Sequence, residues 1–280
     1  MNEIVESVGE EFSGRLIKDF LRQRLSLSVT LIKKVKFGGV SVNGEVVTMR
    51  KILQKGDTVR VVLPKGEESE HVEPVNMPLT VLYEDEYILA VDKPTNMPTH
   101  PSRYNSLTTL ANLVRAYVGE AFVFRAITRL DRDTSGIVLI AKDQRTAARL
   151  SEQMKRGMIE KTYEAILSVT PKQSRGEINA PIEREAPDSI KRIVREDGKS
   201  ALTRYKVKEI LPDGRAVCTV NPITGRTHQI RVHMAYIGSP LYADFLYGEK
   251  KEGENYSLRC VSLSFTHPYT DEKITINAFG

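Results

Sequence analysis

From Asn76 onward, five short apolar runs at residues 80–83, 87–92, 136–142, 163–169 and 216–220 are broken by only two segments of helical period. One helix is predicted over 144–156, capped by Asp143, with Ala147, Leu150 and Met154 on one stripe. The other starts near Thr227 and ends before Gly238. A doubly wound parallel sheet needs a crossover, usually helical, between most consecutive strands. Here strands outnumber helices and the two kinds are not regularly interleaved. The expected fold is therefore α+β, with a mixed, largely antiparallel sheet. With 280 residues the chain has room for a second, smaller unit. The expected division is 1–75 and 76–280.

The smaller unit reads as helix, basic helix, hairpin and strand. Leu16, Ile17, Phe20, Leu21 and Leu25 make an apolar stripe at helical spacing, while Arg15, Lys18 and Arg22 lie on another side. A second helix is predicted after a Ser28 cap, ending near Gly38-Gly39 and carrying Lys33, Lys34 and Lys36. Asn43-Gly44 predicts a tight hairpin, since both residues accept positive φ, and residues 58–63 read as a further strand. Residues 12–65 hold 12 Lys or Arg against 3 Asp or Glu, whereas 66–86 hold seven acids and no Lys or Arg. A basic module followed by an acidic connector fits a partner made of phosphates.

The order of these elements resembles the S4-like RNA-binding domain. The matching residues are Gly14-Arg15-Leu16, the leucine-serine run before the lysines, Val42-Asn43-Gly44 and Gly56-Asp57-Thr58-Val59. One departure is Ile17, where that family usually has aspartate. The resemblance implies that Arg15, Lys18, Arg22, Lys33, Lys34 and Lys36 meet structured RNA, mainly through shape and phosphate contacts.

The densest chemistry lies in Arg129-Leu130-Asp131-Arg132-Asp133-Thr134-Ser135-Gly136, a polar loop directly before an apolar strand. Such a loop holds a side chain at the lip of a core, where active sites sit. Asp133 reads more readily as a turn residue. Asp131 is flanked by arginines expected to keep its carboxylate charged.

This run resembles the signature of RluA/RluD-type pseudouridine synthases, and further motifs follow in the family's order. They are Lys93-Pro94 with His100-Pro101, Lys161-Thr162-Tyr163-Glu164-Ala165, the run from Thr224-Gly225-Arg226-Thr227-His228 through Gln229-Ile230-Arg231-Val232-His233, and Phe265-Thr266-His267-Pro268. Gly238, Pro240 and Tyr247-Gly248 belong to the same pattern. The resemblance implies isomerisation of uridine to pseudouridine in RNA, large-subunit ribosomal RNA before transfer RNA, with no cofactor and no metal. It implies Asp131 as the catalytic carboxylate, Tyr163 as the aromatic stacked on the base, and Arg231 as the partner of Asp131. Arg129, Arg132, Lys161, Arg226 and His228 are expected to contact RNA. Read without the resemblance, Tyr163 fits a core position and Arg231 fits a structural ion pair equally well. Two departures stand out. Thr128 replaces the usual histidine before Arg129-Leu130-Asp131, so altered packing or substrate contacts are expected there. Asn96 replaces a loop glycine, and asparagine tolerates left-handed backbone.

Other classes fit less well. No apolar stretch reaches the ~20 residues of a membrane span, and residues 1–11 lack the order of a secretion signal. Cys218 and Cys260 suggest neither a disulfide framework nor a zinc site. A glycosidase would use paired carboxylates with aromatic sugar platforms, yet aromatics are 7% and tryptophan is absent. An aspartic protease would need a second copy of its motif. A non-catalytic RNA-binding or ribosome-assembly protein is the remaining alternative. The expected setting is cytoplasmic, as a monomer.

Overall fold

The computed structural model describes residues 3–25, 27, 29–62, 72–101, 108–119 and 122–278. The Ser28 cap, the end of the 58–63 strand and the connector acids at 67, 68 and 70 lie outside these residues.

A four-stranded antiparallel sheet, in the order β1-β4-β2-β3, occupies the first part of the chain. Its strands are β1 (Glu3–Ser7), β2 (Val40–Val42), β3 (Glu45–Val46) and β4 (Thr58–Val62). Helices α1 (Ile17–Gln23) and α2 (Val29–Val35) complete the unit. The predicted stripe forms the core: Ile17, Phe20, Leu21 and Leu25 are fully buried and pack with Leu31, Val40, Val59 and Val61. Ile17, at the position of the expected aspartate, is thus a core residue. Asn43 (φ 52) and Gly44 (φ 88) take the left-handed geometry that the hairpin required. Strand β1 was not expected, because an edge strand gets its identity from the partner it pairs with rather than from its own apolar content.

The second part is built on a ten-stranded mixed sheet. Its main path runs β10-β13-β14-β9-β15-β8-β6-β5, with β16 on β15 and β7 on β8. The strands are β5 (Thr80–Glu84), β6 (Ile88–Lys93), β7 (Arg125–Ala126), β8 (Ser135–Ala141), β9 (Glu160–Leu167) and β10 (Arg175–Asn179), then β13 (Leu202–Ile210), β14 (Ala216–Pro222), β15 (Leu258–Thr266) and β16 (Lys273–Asn277). Between β10 and β13 a separate hairpin pairs β11 (Ile182–Arg184) with β12 (Arg192–Val194). Every pairing in the large sheet is antiparallel except β15 with β8.

Among the described residues three helices flank this sheet: α3 (Leu110–Val118), α4 (Gln144–Lys155) and α5 (Gln229–Tyr236). Asp143 caps α4 by accepting from the backbone N–H groups of Arg145 and Thr146, at 2.8 and 2.9 Å. Helix α3 carries no clear signal in the sequence. Its nine residues are short, and its start is closed by Asn112 accepting the Thr109 N–H at 2.9 Å, in place of the acidic partner that makes a capping box easy to read.

The single parallel junction places the chemistry-bearing loop. Gly136 pairs with Cys260 and has φ +107. A Cβ at Gly136 would lie 2.2 Å from the Cys260 carbonyl oxygen, so only glycine allows β8 to enter the sheet here.

Candidate active site

The loop carrying Asp131 is fixed by the segment that follows β6. Lys93 is fully buried, and its Nζ donates to the carbonyls of Pro94 (2.8 Å), Met97 (2.7 Å) and Arg132 (3.0 Å). Burial pushes its ammonium down to about 8, against the pull of Asp133, Asp131 and Asp92. Thr95 Oγ1 donates to the Asp133 carbonyl and Thr99 Oγ1 to the Leu130 carbonyl. Asn96 turns this segment with φ 56, as its side chain permits. One lysine and two threonines therefore pin the backbone on both sides of Asp131. Lys93→Met is expected to lower any activity that depends on the Asp131 carboxylate roughly tenfold to a hundredfold with substrate affinity little changed, as expected when a reacting group shifts by a fraction of an ångström. Wild-type turnover in that variant would show that the three carbonyl contacts do not position the loop.

Thr128, in place of the expected histidine, is buried, and its Oγ1 accepts the Leu139 N–H at 2.9 Å. The substitution is absorbed in packing against β8.

Asp131 opens into a cleft of about 650 Å³. Its side chain is 33% exposed, and its nearest ionic neighbour is His228, with Nε2 4.0 Å from Oδ2. Among the described residues lining this cleft Asp131 is the only carboxylate, facing Arg129, Arg132, Lys155, Lys161, Arg226 and Arg231. Tyr163, in β9, is buried and forms part of the cleft wall. Burial, then Cys260 and Asp131, push its phenol pKa well up, so it stays neutral. Burial also pushes the Lys161 ammonium down. Lys155, from the last turn of α4, was not singled out in the sequence; nothing local in its helix distinguishes it from a solvated lysine.

Two expected pairings are different in the structure. Arg132 does not serve Asp131: its guanidinium forks onto Asp133, at 2.9 and 3.0 Å. Arg231 does not pair with Asp131 either. Its Nε and Nη2 donate to Asp244 Oδ2 and Oδ1, both at 2.7 Å, and both side chains are buried. The Arg231 guanidinium also lies over the rings of Tyr256 (4.3 Å), Tyr247 (4.9 Å) and Phe245 (5.6 Å). A carboxylate and three rings thus fix Arg231 as a wall of the site, with Asp131 close enough to feel its charge. The partner was hidden because Asp244 lies thirteen residues away, in a loop with no helical or strand period.

His228, grouped with the RNA contacts by its motif, stands instead beside Asp131, at the N-cap of α5 with φ 57. Its Nδ1 lies 2.7 Å from the Tyr247 hydroxyl. Arg226 is exposed, and its Nε donates to the Ser200 carbonyl. Arg129 is exposed at the cleft mouth. His233 is buried between Thr203 Oγ1 and the Ala180 carbonyl, as a structural residue.

Comparison with known proteins places the chain among relatives of one kind. A family described as RNA pseudouridylate synthase matches residues 87–236. A Bacillus subtilis protein named uncharacterized RNA pseudouridine synthase YjbO is 38% identical over 91% of this chain and 92% of its own length. Ribosomal large subunit pseudouridine synthase D of Xanthomonas campestris is 36% identical over 95% of this chain and 83% of its own. Among solved structures, human RNA pseudouridylate synthase domain containing 1 superposes with a TM-score of 0.62 at 25% identity, over 74% of this chain and 86% of that one.

Proposed function

Because the chain belongs to the RNA pseudouridylate synthase family, we propose that it isomerises uridine in large-subunit ribosomal RNA, with Asp131 as its one catalytic carboxylate. The observation that carries this reading is a single acid in a cleft whose other charged side chains, among the described residues, are lysines and arginines. The cations suit a polyanionic substrate. The acid suits a reaction that develops positive charge on a sugar.

The reaction breaks the bond between N1 of uracil and C1′ of ribose, turns the base, and joins C5 to C1′, with the C5 hydrogen lost and one gained at N1. Nothing is oxidised or added. A carboxylate serves by either of two routes: attack on C1′ to give an ester, displaced later by C5, or removal of the C2′ proton to give a glycal, returned when C5 bonds. Both routes require an anion at Asp131 and a detached base held in place. Tyr163 supplies an apolar wall and a ring for that base; base–aromatic stacking is worth about 1–3 kcal/mol. The target nucleotide reaches the cleft by leaving its stack, and Arg129, Arg132, Lys155, Lys161 and Arg226 meet the flanking phosphates.

The first 75 residues act as an S4-like RNA-binding domain, and the remainder as the catalytic domain. Lys18, Arg22, Lys33, Lys34 and Lys36 are exposed on or beside the adjacent helices α1 and α2. Phe37 is 83% exposed with the Lys36 ammonium over its ring, an arrangement open to a nucleotide. Replacing Lys18, Arg22, Lys33 and Lys36 together by serine is expected to weaken RNA binding and to flatten its salt dependence. The log–log slope should fall by about 0.7 for each phosphate that is no longer neutralised. An unchanged slope would remove this surface from the interface.

Among the described residues no helix is long and apolar enough to cross a membrane. The chain acts as a monomer on cytoplasmic RNA. Pseudouridine mapping in ribosomal and transfer RNA from cells with and without this protein tests the reading. Loss of a position in large-subunit ribosomal RNA is the expected result. Loss confined to transfer RNA would reassign the substrate.

A further inference from the structure

We propose that His228 is a positioning residue for Asp131, donating a hydrogen bond from Nε2 to its carboxylate. This rests on the reading of Asp131 as the catalytic acid, and it gives His228 the place that the family resemblance assigned to Arg231.

The Tyr247 hydroxyl sets the tautomer of His228. The Tyr247 hydroxyl oxygen accepts the backbone N–H of Arg192 at 2.8 Å and lies 2.7 Å from His228 Nδ1. A backbone N–H can only donate, so it occupies one lone pair of the phenol. The phenol proton needs an acceptor of its own, and among the described residues only His228 Nδ1 lies within hydrogen-bonding distance. Nδ1 is therefore the acceptor, and in the neutral ring the proton sits on Nε2. That nitrogen is the one 4.0 Å from Asp131 Oδ2. A small approach of loop and helix on substrate binding closes this distance, as catalytic hydrogen bonds often do.

The surroundings keep the ring neutral and in place. The charged groups around it are Asp131 from the loop before β8, Arg231 from α5, Arg192 from β12 and Asp244 from the loop after α5. Burial, with Arg231 and Arg192 and against the pull of Asp131 and Asp244, holds the imidazole below its ordinary range. The Tyr247 ring packs edge-on at 5.6 Å, and the Arg231–Asp244 pair fixes the loop that carries it, with Asp244 Oδ1 accepting the N–H groups of Leu246 and Tyr247.

The backbone makes the test sharp. His228 sits at φ 57, ψ 17, where asparagine is more comfortable than glutamine. The asparagine amide reaches only about as far as Nδ1, whereas the glutamine amide reaches about as far as Nε2 and can still donate to Asp131. A purely structural role therefore favours His228→Asn, and the proposed role favours His228→Gln. Single-turnover rate and RNA affinity are to be measured for both variants of the full chain, with Asp131→Asn alongside. The expected result is a rate roughly tenfold to a hundredfold lower in His228→Asn, the range for a hydrogen bond to a charged group. His228→Gln should recover most of that loss, with RNA affinity similar in all. In ring ¹⁵N spectra of the wild-type protein, the His228 signal absent from His228→Asn should show a protonated Nε2 and an unprotonated Nδ1. Equal rates for both variants, a better rate for asparagine, a loss confined to affinity, or the opposite tautomer would each overturn the proposal. If Asp131→Asn retains turnover, the underlying assignment of the acid fails instead, which is a separate outcome.

Discussion

Asp131→Asn should reduce pseudouridine formation by at least about four orders of magnitude, the scale seen when a reaction loses its central nucleophile or base. The substitution changes little else. The Asp131 side chain makes no hydrogen bond to another described residue, and its backbone carbonyl continues to accept the Thr134 N–H at 3.2 Å. Asparagine has nearly the same volume, so packing and loop position are kept. RNA affinity should be unchanged or slightly higher, because removing one negative charge from a cleft lined by six cationic side chains strengthens its attraction for phosphate. Loss of turnover with intact binding separates catalysis from substrate capture, and it also excludes a protein that only binds RNA. Turnover within tenfold of wild type would show that another group does the chemistry. Asp131→Ala, which cannot regain a carboxylate by deamidation, guards the result against a trace of restored acid.

What the sequence reveals here, and what it hides, divides by the range of the interaction. Asn43-Gly44, Asn96 and the Asp143 cap were legible because each acts within a few residues of itself, through φ or through a nearby backbone N–H. The core stripe of α1 was legible by its period. The positions of Asp131 and Tyr163 in one cleft came from motif resemblance, and the folded chain does bring them together. Ion-pair partners were different. Arginines flank Asp131 in sequence, yet one of them turns to Asp133. Arg231 has a carboxylate near it in space, yet forks onto Asp244. A planar guanidinium takes the acid that offers two oxygens in its own plane inside the core, and that choice depends on loops whose path no local pattern fixes. The place of His228 beside Asp131 is hidden for a related reason: its depth in the fold and its phenol partner exist only once β12 and the loop after α5 have met.

The second large effect follows from the Arg231–Asp244 pair. Asp244→Ala should destabilise the larger unit by about 3–5 kcal/mol, because it leaves a guanidinium buried without its carboxylate. The side chains are 3% and 0% exposed, so water cannot replace the missing partner without opening the core. The same change removes the acceptor for the Leu246 and Tyr247 N–H groups, at 3.0 and 3.2 Å. Tyr247 would then no longer be fixed against His228, and turnover should fall along with stability. Urea unfolding checks the first effect. Among the described residues the four-stranded sheet and the ten-stranded sheet have separate hydrophobic cores, so the transition to follow is that of the latter, reported by its tyrosines. Stability and function can then be separated by removing both charges. Arg231→Met combined with Asp244→Leu should regain part of the stability, since an apolar pair of similar size often replaces a buried ion pair at little cost. It should not regain turnover, because the cation that forms the cleft wall is gone. A loss below about 1 kcal/mol in Asp244→Ala, the size expected of an exposed pair, would mean that solvent reaches Arg231 and that the wall beside Asp131 is softer than its geometry implies.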